Sequence, residues 1–270
     1  MRRVIIAFYW LFKSKNNVGF IELIKFLLKP TVSKIADRYI KSIEKNDAWI
    51  VVSFKQMDQK LFWPKEYPVS GIYQVVSETF DRDDWHYYQK TGTLIRDGEV
   101  LLDIGAAEAL FSLTVMDKCE KIILIEPNDH FTRSLEKTFD AVPDKVRIIR
   151  TAVGNKDGEI SFNLDSLSGK ISAEANQNKK PITTIDHLLL DEPKITYLKA
   201  DLEGFELEML QGAEKLIKKH KPKIAITSYH IENDANQIIS LIKSYVPTYH
   251  YYVKGINHVG GKPVMIHFWP

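Results

Sequence analysis

Three short clusters hold the side chains that could do chemistry in this sequence. The first follows Val100–Ile104, which reads as a buried strand, and runs Asp103-Ile-Gly105-Ala106-Ala107-Glu108-Ala109 before the apolar run Leu110, Phe111, Leu113. Gly105 permits a tight turn, because a residue without Cβ tolerates positive φ. A strand, a turn of small residues and a helix N-terminus cradle a nucleotide when the ligand must approach the backbone closely. The same pattern also serves plain strand-to-helix packing. The second cluster is Glu126-Pro127-Asn128, at the end of the apolar run Ile122–Ile125. An acid about 20 residues beyond such a turn can accept hydrogen bonds from both hydroxyls of a ribose; its other reading is a helix-capping or surface acid. Pro127 and Asn128 shape the turn, and Asn128 is a natural cap. The third is Asp201-Leu-Glu203-Gly-Phe-Glu206. Like charges repel, so packing explains such a cluster poorly. Asp201 and Glu203 are candidates for a cationic ligand or a metal, and Glu206 reads as an acid opening a helix.

Two histidines complete the set. His230 follows Lys223–Thr227 and is a candidate general base, its alternative being a structural hydrogen bond. Asp201, Glu203 or Asp234 could orient it, or these groups could together bind a divalent cation. No metal ligand is assigned. His86, in DDWHYY, is a second candidate base. Its neighbours Trp85, Tyr87 and Tyr88 could cover a ligand ring, although aromatic stripes more often belong to a core.

The elements that position these groups follow a regular rhythm after residue 95. Strands are expected at Val100–Ile104, Lys121–Glu126, Val146–Thr151, Tyr197–Asp201, Lys223–Thr227, Tyr249–Val253 and Val264–Trp269. Helices are expected at Phe111–Met116, Asp129–Phe139, Glu206–Lys218 and Asp234–Tyr245. Alternation of this kind gives a mainly parallel sheet with helices on both faces. The gap between the last two strands is too short for a crossover helix, so they should form an antiparallel hairpin. Thr151–Gly158, with Ala152 and Val153, reads as a loop at the carboxyl end of the sheet. Glu159–Leu164, the turn Ser166–Gly169 and Lys170–Ala175 read as an inserted hairpin.

Residues 1–95 form an irregular, aromatic-rich and lysine-rich extension, a candidate substrate or partner region, and 96–270 form the regular domain. Within the extension, helices are expected over Gly19–Leu28, Val32–Glu44 and Ser77–Tyr88, a strand over Trp49–Phe54, and a turn or hairpin edge over Leu61–Pro68. The 270 residues carry a net charge of +2, which gives no electrostatic footprint of a nucleic-acid binder. A single cysteine, Cys119, excludes an internal disulfide framework and fits a cytoplasmic setting. The opening MRRVIIAFYWLFKSK is too short to span a bilayer and lacks a small-residue cleavage site. It reads as an amphipathic or buried helix, with a membrane-surface helix as the alternative. Oligomeric state is not readable.

The ordered series VLLDIGAAEALFSL, IEPN, TAVGNKDGEISF, PITTIDHLL, YLKADLEGFELEMLQGA and PKIAITSYH resembles the FkbM family of S-adenosylmethionine-dependent methyltransferases. The resemblance covers Glu78 to about His230. ITTIDHLL and KADLEGFE are its most specific parts. It implies a Rossmann-like seven-stranded sheet, S-adenosylmethionine as cofactor, and methyl transfer to a hydroxyl, commonly of a sugar or natural product. Asp103, Gly105, Ala106 and Ala107 then belong to the methionine-binding turn. Glu126, with Pro127 and Asn128, holds the ribose, Ala152 and Val153 flank the adenine, and Asp201 lies near the donor amine and the acceptor. The sequence departs from the family pattern at Ala109, where most members have a second glycine. It departs again at Ser228-Tyr229-His230, where many have a glutamate before the histidine. These departures motivate a second reading, a non-catalytic binding module. A nicotinamide-dependent oxidoreductase would use the same turn but not the Asp201–Glu206 cluster.

Overall fold

The computed structural model describes residues 1–161, 179–230 and 235–270. Strands β4 (Glu99–Ile104), β5 (Cys119–Ile125), β6 (Val146–Ile149), β10 (Tyr197–Ala200), β11 (Lys223–Thr227), β12 (His250–Lys254) and β13 (Met265–Trp269) form one sheet of order β12-β13-β11-β10-β4-β5-β6. Neighbours from β11 to β6 pair in parallel, and β13 runs antiparallel between β11 and β12. The expected seven-stranded sheet with its antiparallel terminal hairpin is therefore present. Its central strands read as continuous apolar runs because both faces are covered. On one face lie Leu102, Ile104, Leu198 and Ile226, packed under α8 (Glu206–Gln211), α9 (Glu214–His220) and α10 (Ala235–Tyr245). On the other, Leu101, Ile122, Leu124 and Tyr197 share a core with α4 (Val69–Phe80), α5 (Leu110–Val115) and α6 (Asp129–Thr138).

The chain runs outward from β4 through β5 to β6 and returns to β10 on the other side of β4. The strand order thus reverses between β4 and β10, where open sheets of this kind leave a crevice at their carboxyl ends. The turn after β4 and the loop after β10 meet there. A Cβ on Gly105 would lie 2.0 Å from the Asp201 carbonyl oxygen.

Before this sheet come α1 (Arg2–Phe12), α2 (Phe20–Leu28), α3 (Val32–Ala36) and a three-stranded antiparallel sheet of β1 (Ile40–Lys45), β2 (Trp49–Phe54) and β3 (Lys60–Pro64). The helix expected over Val32–Glu44 ends at Ala36. Residues 40–45 instead pair with β2, whose WIVVSF alternates buried and part-buried positions. Strand pairing there overrides local helical periodicity. β3 is a strand at the sheet edge, and its Pro64 is the last residue, where a missing N–H disrupts no ladder. The helix expected over Ser77–Tyr88 instead starts at Val69 and stops at Phe80. Asp81 Oδ1 then accepts from the Asp83 N–H, and Asp84 Oδ1 from the His86 N–H. These local turns compete with helix and release the aromatic segment 85–88 toward the crevice.

Two more elements differ from expectation. The helix over Glu206–Lys218 is broken at Gly212, whose missing Cβ would otherwise meet the Gly154 carbonyl oxygen at 2.0 Å. β8 (Gly158–Ser161) pairs with β9 (Lys179–Thr183), which also pairs in parallel with β7 (Ala152–Val153). The expected Ser166–Gly169 turn and Lys170–Ala175 strand lie outside the described residues. β9 leads into α7 (Ile185–Leu189), capped by the Thr184 side chain accepting from the His187 N–H.

Candidate active site

Gly105, Ala107 and Ala109 all take positive φ, at 67°, 46° and 53°. The N–H groups of Gly105 and Ala106 both donate to the Ile125 carbonyl, which ties the turn to the end of β5. The Ala107 N–H donates to Glu126 Oε2 and the Asn128 N–H to Oε1, both at 2.8 Å. Two backbone donors therefore fix the Glu126 carboxylate and leave it further acceptor capacity. Burial is the main influence on it and raises it to about 7, against those backbone donors. Asn128 caps α6 through the His130 N–H and donates to the Tyr67 hydroxyl.

Ala109 shows why a glycine is favoured at its position. It is the N-cap of α5 in the left-handed conformation, and it is buried. An L-residue there costs about 1–2 kcal/mol, while removing a buried methyl loses up to about 0.8 kcal/mol. Ala109→Gly should therefore stabilise the fold by about 0.2–1.2 kcal/mol. A denaturant midpoint that does not rise would contradict this.

Opposite this turn, Asp201 accepts from the Tyr88 hydroxyl at 3.0 Å and lies 3.1 Å from Thr227 Oγ1, whose one proton has Glu206 as its nearer acceptor. His86 Nε2 lies 3.5 Å from its Oδ2. Burial would raise its pKa, but His86, Lys199 and His230 outweigh that and hold it below the usual carboxylate range. Glu203 and Gly204 adopt positive φ, 52° and 114°, so left-handed backbone occurs on both sides of the crevice. Such conformations persist where surrounding structure enforces them.

Glu206 is fully buried. It accepts from the N–H groups of Leu202 and Gly204, from Thr227 Oγ1 at 2.8 Å, and pairs with His230 Nδ1 at 2.7 Å. It is thus the partner that fixes the imidazole, a role the sequence reading gave to Asp201, Glu203 or Asp234. Asp234 lies outside the described residues. The His230 Nε2 atom lies 3.3 Å from Glu203 and 3.9 Å from Asp201. Burial alone would lower this histidine; Glu203, Glu206 and Asp201 overcome it and raise it to about 10. His230 therefore holds its second proton at neutral pH. No carboxylate directly precedes it in the chain, and Glu206 supplies that charge from α8.

One cavity of about 380 Å³ joins both sides. Asp103, Gly105, Ala106, Ala107, Glu126, Pro127, Asn128, Ala152, Val153, Asp201 and Glu203 all line it. His230 lies behind its Asp201–Glu203 wall. Asp103 is fully buried, and its carboxylate is engaged by Lys199 at 2.9 Å and the Ser112 hydroxyl at 2.7 Å. Lys199 also donates to the Gly105 carbonyl. Asp103 and Lys199 thus brace the turn between β4 and β10. Glu78 and Tyr88, from the amino-terminal extension, also line the cavity, and burial raises Glu78 to about 6. Of the aromatic segment, His86 and Tyr88 reach the cavity, whereas the Trp85 indole donates to Glu22 and stacks on Phe26. Ligand atoms of Asp201, Glu206 and His230 also lie within 4.8 Å of one another, close enough for a cation.

A mainly parallel sheet with an antiparallel terminal strand and a crevice at its switch point is a Rossmann-like methyltransferase architecture. A family model described as the methyltransferase FkbM domain matches residues 103–249, and the chain belongs to that family. Among similar proteins is the hexuronic acid methyltransferase AglP of Haloferax volcanii, 27% identical over 151 residues. That match covers 54% of this chain and 62% of the relative, so the chain spans under two thirds of the curated relative's length. The crystal structure of methyltransferase FkbM from Methylobacillus flagellatus KT superposes with a TM-score of 0.52 at 22% identity. It covers 73% of this chain and 54% of that one, and it supports the fold.

Proposed function

We propose that the chain is an S-adenosylmethionine-dependent O-methyltransferase acting on a hydroxyl of a sugar, glycan or related natural product. The observation that carries this reading is the two-ended cavity. A fixed, buried carboxylate, Glu126, stands at one end, and Asp201, backed by His230, stands at the other. The residues fit the donor. Glu126 has acceptor capacity for a ribose diol. The Gly105 turn admits close approach of a ligand, and the carboxylates of Asp201 and Glu203 suit a cationic amine and sulfonium. Ala152 and Val153, which line the cavity, would flank the adenine. When bound, the donor supplies an electrophilic methyl group. The sugar acceptor is supported by the hexuronic acid methyltransferase relative.

An alcohol is a weak nucleophile at neutral pH, so a base aids its attack. We assign that role to His230, oriented by Glu206, the cavity-lining Asp201 or Glu203 relaying the acceptor's proton to its Nε2, since His230 itself stands behind them. Two of the atoms a cation would use are already engaged: Glu206 has four hydrogen-bonding contacts, the one with His230 Nδ1 among them. Acid–base work is therefore the reading we favour over a metal.

His230 must lose its proton before it can accept another, and kcat/KM reports the free enzyme's ionisations. The acid limb of the kcat/KM profile should therefore climb through the neutral range toward about 10. Glu203→Gln removes a carboxylate that favours the imidazolium, so this limb should move to lower pH. An unmoved limb would take the base role away from His230.

Methyl transfer itself is tested by incubating the chain with methyl-labelled S-adenosylmethionine and fractionated glycans. Label on a neutral or acidic sugar hydroxyl supports the assignment. Donor binding without transfer to any fraction would favour the binding-module reading.

A further inference from the structure

Helices α1 and α2 are apolar on two faces. Their inner residues Ile6 and Leu23 are buried in a small cluster with Val18, Trp85 and Ile256. Their outer faces carry Val4, Phe8 and Phe12 on one helix and Phe20, Ile24 and Leu28 on the other, at four-residue spacing and all exposed. Phe12 is 73% and Leu28 78% exposed. Of the thirteen large apolar side chains exposed among the described residues, ten lie in residues 1–32. Exposed apolar side chains concentrated in this way mark an interaction face.

Charge identifies what it faces. Residues 1–34 hold seven Lys or Arg and one acidic residue, a net +6, while the whole chain is only +2 and the remainder is therefore −4. Arg2, Lys25 and Lys34 are exposed beside the apolar stripes. No helix among the described residues is long and apolar enough to cross a membrane. We propose that α1 and α2 dock in the plane of an anionic lipid bilayer, the apolar stripes entering the acyl boundary and the basic side chains meeting the headgroups. A second copy of the chain fits poorly, because a two-fold contact would bring the exposed Arg2, Lys25 and Lys34 of both copies to one interface; Lys29 is already paired with Asp81 and Asp84.

The docking face is joined to the cavity wall. Phe26 of α2 stacks on Trp85 with ring centroids 4.2 Å apart, and Glu22 accepts from its indole N–H at 2.8 Å. The next residue, His86, lines the cavity. Docking therefore brings the cavity near the lipid surface, whatever reaction occurs in it.

The test is co-sedimentation of the full chain with vesicles of phosphatidylcholine alone and of phosphatidylcholine with phosphatidylglycerol. Partitioning onto the anionic vesicles should be at least about tenfold stronger. Phe8→Asp with Phe12→Asp should reduce it by about tenfold or more, without changing the melting temperature or donor binding. Lys25→Glu with Lys34→Glu, which leaves the apolar stripes intact, should reduce the preference for anionic lipid. Absent partitioning, equal partitioning onto both vesicles, or variants that bind like wild type would overturn the proposal. So would a dimer in sedimentation velocity that Phe8→Asp with Phe12→Asp dissociates, since the face would then belong to a second copy. Failure here leaves the methyl-transfer reading intact, because vesicle binding needs neither donor nor acceptor.

Discussion

Replacing His230 with alanine is expected to lower turnover by roughly 10²–10⁴-fold, the contribution of a well-placed general base, while donor affinity stays nearly unchanged. The separation follows from position. His230 lies behind Asp201 and Glu203, and the cavity-lining carboxylates that would hold the donor do not depend on it for their chain geometry. A buried cation among three carboxylates also supports the fold, so the alanine variant should lose stability as well as activity. His230→Gln separates the two effects. Its amide can still donate to Glu206, yet it cannot take a proton at any working pH. If His230→Gln folds, binds donor and turns over like wild type, the base lies elsewhere, with His86 next in line beside Asp201. The raised histidine also sets a stability trend. Its contribution is fully present below about 6.5 and is lost as pH rises through about 10. Wild-type stability should therefore decline across that interval more than that of His230→Gln.

Gly105→Ala is the second large effect. The new Cβ would lie 2.0 Å from the Asp201 carbonyl oxygen and 3.2 Å from the Leu202 side chain, and the residue sits at φ 67°. The left-handed backbone contributes about 1–2 kcal/mol and overpacking about 1–3 kcal/mol. Relief requires the turn after β4 to move away from the loop after β10. That movement also shifts Ala107, whose N–H fixes Glu126. Donor affinity should fall by roughly tenfold to a hundredfold if a further 1.4–2.8 kcal/mol is needed to restore the binding geometry. An alanine variant with the wild-type melting temperature and affinity would show that this close approach matters to neither fold nor site.

The sheet was legible because its strands are buried on both faces and read as unbroken apolar runs separated by helical periodicity. Glu126 was legible for a related reason: an acid directly after IILI has little to do in a core. Glu206 was not. An acid at a helix start is so common that its local pattern points to the macrodipole, and its burial against His230 depends on β10 and β11 lying side by side. β1 was hidden in the same way, since IKSIEK alternates weakly and takes its conformation from β2. The Asp81 and Asp84 turns that end α4 were present in the sequence but were outweighed by the run of aromatic residues after them. Ala109 departs from a glycine pattern, and its φ of 53° gives that departure a physical meaning.

Isothermal titration of the chain with S-adenosylmethionine tests the central claim most directly. One site per chain, saturating well below about 1 mM and weakened when Glu126 is replaced by alanine, is the expected result. No heat and no saturation at millimolar donor would contradict it.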